Sequence, residues 1–148
     1  MTVDPAWGRH WKAREIAEEC YLAGWTDVEK LWTAVAVCIA ESNGYEKRRN
    51  HNPEIRDPET GELLRPASVD RGAWMINDLA FPNVSDAQAD NFRTATRIAR
   101  SIYVGRGGRF SAWAAFTNGQ YLGPRAGGYA LDGVKFMLAA RHGYPVPS

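Results

Sequence analysis

Glu41 and Asp70 are the two residues whose settings point to chemistry. Glu41 closes the apolar run from Ala34 to Ala40, and the chain breaks directly after it at Ser42-Asn43-Gly44. At about 100° per residue, Glu41 falls nearest Ala34, Val37 and Cys38, so its carboxyl is expected to leave the helix from a dry face. It also ends a predicted helix, where the negative pole of the dipole opposes a further negative charge. Desolvation and dipole both push a carboxyl pKa upward. A carboxyl kept protonated near neutrality suits a general acid, and glycoside hydrolysis sets such an acid opposite an ionised carboxylate. The plainer alternative is a glutamate that reaches solvent at a frayed helix end.

The second carboxylate belongs in a polar setting across a cleft. Asp70 fits: it stands in the strand-like stretch "ASVDRG", beside Arg71, with Gly72 letting the backbone turn closely afterwards. Its alternative is an ordinary turn aspartate. Asp57 and Glu59 in the "DPETGE" turn are weaker candidates, because turns recruit such residues for their own hydrogen bonds. Sugar rings stack on exposed aromatic faces. Among the tryptophans Trp7, Trp11, Trp25, Trp32, Trp74 and Trp113, Trp74 lies nearest the proposed pair and is the candidate platform. Trp32 and Trp113 are expected in the core, and Tyr121, in the polar stretch "TNGQY", is a second candidate cleft residue.

These residues need elements to position them. Residues 9–23 read as a first helix, with Trp11, Ile16, Cys20 and Ala23 along one stripe and Gly24 as its stop. Thr26 with Glu29 gives a capping-box pattern ahead of a second helix over about 27–41. Leu31, Trp32, Val35, Val37 and Ile39 point in most directions around its axis, as in a central helix enclosed on nearly all sides. From Gly44 to Pro66 the texture turns polar and rich in breakers, which predicts a loop and a small hairpin. A short strand is expected at 68 onward. Ser85 with Gln88 caps a third helix over about 86–104, "SAWAAF" makes a short helix, and a last helix ends at Gly143. The layout is α+β and mostly helical, in one domain over 1–148.

Composition removes several classes. A formal net charge of +1 across 148 residues lacks the broad basic field of phosphate-driven nucleic-acid binding. No run of eighteen apolar residues exists for a membrane span, and the opening "MTVDPAWGRHWK" lacks the layout of a secretory signal. Cys20 and Cys38 lack metal-site spacing and read either as buried free thiols or as a helix-to-helix disulfide. His10, His51 and His142 are scattered, so neither a metal nor another cofactor is expected. "EKRRNH" at 46–51 reads as a solvated loop or as a contact for anionic polymers or peptide carboxylates. "YVGRGGRF" does not follow a strand and open a helix, which excludes a phosphate loop.

Taken together, "AESNG" at 40–44 and "SVDRGAWMIND" at 68–78 resemble the lysozyme superfamily. The first is similar to its catalytic Glu-Ser at the end of a buried helix, the second to its S-x-D-x-G-[IL]-[LW]-Q-I-N-S segment. "WAAFTNGQY" at 113–121 is similar to the A-[YF]-N-x-G segment of soluble lytic transglycosylases. The likeness covers about residues 30–121, flanked by an N-terminal helix within 1–25 and a C-terminal helix over 125–142. It implies a lysozyme-like fold with a small β lobe beside the cleft, and cleavage of the β-1,4 link between N-acetylmuramic acid and N-acetylglucosamine in peptidoglycan.

Carried over by position, Glu41 would be the general acid and Asp70 the ionised carboxylate. Ser42 would be a supporting group after the acid, counted among the substrate-binding residues, and Asn77 a sugar-contacting amide. Two departures stand out. Met75 occupies the family's glutamine position, and Phe116-Thr117 replaces its Tyr-Asn, with Asn118 one place later as the remaining candidate amide. The resemblance also implies a wall-directed protein of bacteriophage type, virion-associated with other tail or injection-particle proteins, or cytoplasmic until lysis. Open alternatives are a lytic transglycosylase giving anhydro products, a non-catalytic wall-binding or structural module, and an unrelated helical interaction protein.

Overall fold

The computed structural model describes residues 5–143 and has an α+β architecture built on a helical core. A 3-10 turn at Pro5–Trp7 leads into α1 (Ala13–Ala23) and α2 (Val28–Ser42). Five short strands follow: β1 (Arg49–Asn52), β2 (Ile55–Arg56), β3 (Leu63–Arg65), β4 (Ser68–Arg71) and β5 (Ile76–Asn77). The chain then returns to helices with α3 (Asp86–Asp90), α4 (Phe92–Gly105), α5 (Ala114–Thr117) and, after a 3-10 turn at Gln120–Leu122, α6 (Pro124–His142).

The central helix is α2. Leu31 and every residue from Ala34 to Cys38 are fully buried, so side chains on all faces meet protein. Each large apolar side chain enclosed this way contributes roughly 1.5–3 kcal/mol. Helices α1, α5 and α6 pack on α2, and α4 packs on α1. The approach of α1 to α6 is close because Gly133 has no side chain; a Cβ there would lie 2.6 Å from the Ala13 carbonyl carbon. Both thiols are free and buried, and burial pushes their pKa values upward.

The start of α2 differs from expectation by one residue. Asp27, not Thr26, is the N-cap, and its Oδ1 accepts from Lys30 N at 3.0 Å. The predicted third helix divides in two. Asn91 leaves helical geometry and its side chain accepts from Thr94 N, capping α4, whereas Ser85 and Gln88 form the expected box only for α3. Residues 49–52, expected as loop, form β1 and pair with β4. The three-stranded antiparallel sheet has the order β1-β4-β5, and the predicted hairpin is the separate pair β2-β3.

Candidate active site

Glu41 occupies the last turn of α2, which closes tightly around it. Asn43 takes a left-handed conformation at φ +57°, and its N–H donates to Ile39 O at 2.7 Å. Ser42 Oγ donates to Cys38 O and accepts from Gly44 N, both at 3.1 Å. Ser42 is thus a fully buried latch at the helix end, which corrects its expected place among substrate-binding groups. Glu41 instead emerges half-buried, and its Oε1 accepts from Ala115 N at 2.9 Å. Burial raises its pKa above the ordinary 4.5, the Ala115 N–H opposes that rise, and the negative charge of Asp70 adds to it.

Sheet register delivers Asp70. Its Cα neighbours are Asn50 on β1 and Asn77 on β5. Because side chains alternate along a strand, Asn50 and Asn52 share one face, as do Ser68 and Asp70 opposite them. Three amides converge on the carboxylate. Asn50 and Asn52 donate to Oδ2 at 3.0 Å each, and Asn77 donates to Oδ1 at 2.8 Å. They fill acceptor sites that a carboxylate offers on both oxygens.

Glu41 and Asp70 face one cleft of about 560 Å³, bounded by the sheet, by the 79–81 segment, and by α4 with Trp113-Ala114. Gly72 lets β4 turn away at its edge with φ +78°; a Cβ there would lie 2.0 Å from Ala89 O, so another residue would force strand and α3 apart. Arg71, only 4% exposed, fastens the far wall. Its guanidinium donates to Ile76 O at 3.1 Å, Val84 O at 2.7 Å and Asp86 Oδ1 at 3.0 Å. Between these anchors Met75 lines the cleft at φ +48°, a conformation an unbranched side chain adopts at some cost.

Asn77 belongs to this constellation as a support for Asp70. Trp74 does not: it is fully buried, donates Nε1–H to Thr96 Oγ1 at 3.0 Å, and stacks on Trp25. The expected sugar platform is therefore a core residue, a correction whose cause is the tight turn after Gly72 that drives the ring inward. Trp74 O does accept from Trp113 Nε1 at 2.8 Å, which holds Trp113 against the cleft. Asn118 is exposed and its Oδ1 accepts from Gln120 N, while Tyr121 stacks on Phe116 with ring centroids 4.9 Å apart. Neither lines the cleft, so their expected sugar contacts are not reproduced.

Sequence reading missed Asn50, Asn52 and the Ala115 N–H. The asparagines alternate in "RNHN", a strand period hidden by the polar composition of an exposed edge. A larger hollow, about 730 Å³, lies between α1, α4 and α6, but its acids Glu15, Glu18 and Glu19 are ion-paired with Arg9, Arg141 and Arg93. Two carboxylates facing each other without an ion pair among the described residues, not volume, mark the cleft at Glu41. Among the described residues no cluster of His, Cys, Asp or Glu is arranged to hold a metal ion, and no helix is long and apolar enough to cross a membrane. No family model, curated protein or solved structure matches this chain.

Proposed function

We propose that this protein has a lysozyme-like fold and cleaves the β-1,4 glycan strands of peptidoglycan by general acid catalysis from Glu41. The observation that carries the reading is the pairing of opposite environments across one cleft: a half-buried Glu41 with raised pKa and one N–H partner, facing an Asp70 fixed by three amides. Two carboxylates separated in this way can divide the roles of proton donor and charge stabiliser.

Ala115 N–H occupies Oε1, so Oε2 carries the proton and delivers it to the glycosidic oxygen as the bond breaks. The same N–H then stabilises the carboxylate that remains. Asp70 stabilises positive charge developing on the sugar and orients the water that adds to it, taking the proton that water loses; this gives a reducing end, and proton exchange with solvent restores Glu41 as the acid and Asp70 as the carboxylate. Glu41→Gln is expected to keep its fold and lose about a thousandfold in cleavage of purified peptidoglycan. Turbidity clearing measures it, and a variant as fast as wild type would end the proposal.

A second reading, lytic transglycosylase action, is favoured by one contact. The group that holds Glu41 comes from "WAAFTNG", the segment similar to that of soluble lytic transglycosylases. There the substrate's own 6-hydroxyl attacks in place of water and the product is an anhydro sugar. Product mass separates the two by one water.

A further inference from the structure

On α2, Ile39 lies about 200° round the axis from Glu41. It lines a second depression on the opposite flank of the helix end. There a hollow of about 300 Å³, reaching Ala40 beside Glu41, adjoins one of about 490 Å³; Ile39, Asn43 and Arg125 border both. The two make a trough that runs away from the catalytic end of α2 towards the outer face of α6.

Its chemistry is lopsided. Lys12, Arg14, Arg48 and Arg125 stand around it, against the lone acid Asp132. None of the four cations enters an ion pair among the described residues, although Arg48 lies over the Trp7 ring and Arg14 also borders the neighbouring hollow, whose other arginines, Arg9, Arg93 and Arg141, are all paired. The surface between the cations is mostly apolar, with His10, Asn43 and Gln120 interspersed. Arg125, Tyr129, Asp132 and Phe136 recur at helical spacing along one face of α6, with Tyr129 57% exposed.

We propose that this trough binds the acidic peptide that branches from the glycan strand, its cations taking the peptide carboxylates and its aromatic face the apolar side chains. The choice of occupant rests on the glycan-cleavage reading, since that substrate carries a short acidic peptide beside the bond to be cut. Charge complementarity selects an anion. The apolar face favours a peptide over a phosphate-bearing wall polymer, which would need the cations alone.

The test titrates a synthetic stem peptide with free carboxylates into wild type and into Arg14→Gln/Arg125→Gln, two exposed positions outside the catalytic cleft, and repeats it with a glycerol-phosphate oligomer. Binding of the peptide by wild type, about tenfold weaker in the double variant, is the expected result. The same factor should appear in kcat/KM on peptide-bearing glycan, with the rate on glycan stripped of peptide unchanged. No peptide binding, equal affinity in the two proteins, or tighter binding of the phosphate oligomer would overturn the assignment. Peptide-bearing glycan left uncut by wild type would remove the cleavage reading, and the peptide titration would still decide the trough.

Discussion

The two walls of the cleft hold a carboxylate each and do it by opposite means. On the helical wall, Glu41 is positioned by covalent geometry and packing: a buried helix, a left-handed stop at Asn43, and one N–H from α5. On the sheet wall, Asp70 is positioned by polar partners, three amides from β1 and β5 and the Arg71 clamp behind them. A dry wall makes ionising its acid more costly; a wall of amide donors hydrogen-bonds both oxygens of its carboxylate. The cleft is thus polarised by how each side is built, so changes on the two sides should fail differently.

The largest difference is expected from the paired substitutions at the carboxylates. Glu41→Gln removes the proton donor and should cost about a thousandfold in turnover under either chemistry. Asp70→Asn should cost about a hundredfold if water is the nucleophile, because the carboxylate that orients that water is gone. Under transglycosylation its effect should stay within about threefold, as the attacking hydroxyl belongs to the substrate. Kinetics on purified glycan with product mass analysis therefore read the division of labour between the walls.

Next in size is a change that only the sheet wall should feel. Arg71→Met leaves the buried carbonyl of Ile76 and the part-buried carbonyl of Val84 without the guanidinium and unfastens the 76–86 segment. The expected loss is about 3 kcal/mol, or a Tm lower by roughly 10 °C. Hydrogen exchange should rise at 78–85 well before it rises in α2. Uniform loosening of both walls would show that the sheet does not depend on this clamp.

The same contrast explains how much the sequence revealed. Glu41 was legible because helix period and apolar run specify both direction and dryness from contiguous residues. The central helix, the 55–65 hairpin and the Ser85 cap were legible for the same local reasons. Asp70 was located, but its surroundings were not, because Asn50 and Asn52 reach it only through strand register over a separation that no local pattern encodes. Trp74 was misread since proximity in sequence to Asp70 says nothing about the turn at Gly72 that sends its ring into the core. Asn91 split the third helix because a cap-forming side chain offered the backbone a competing partner within an otherwise helical stretch.

The smallest expected effect concerns stability, and it isolates the helical wall. An acid whose folded pKa is raised above its unfolded value holds its proton more tightly in the native state. As pH rises through the unfolded value of 4.5, the unfolded chain ionises first and the native state loses ground. The loss is complete once pH passes the folded pKa. Glu41→Gln removes this liability, because the neutral amide can still accept from Ala115 N–H. The variant should therefore melt at or slightly above wild type at about pH 7 and show no such advantage at about pH 4, where both proteins carry a neutral group. Thermal unfolding across that range measures it. A variant less stable at neutral pH would mean that Glu41 is held there as a structural anion. That outcome would remove the dry-wall account of its chemistry even if activity were also lost.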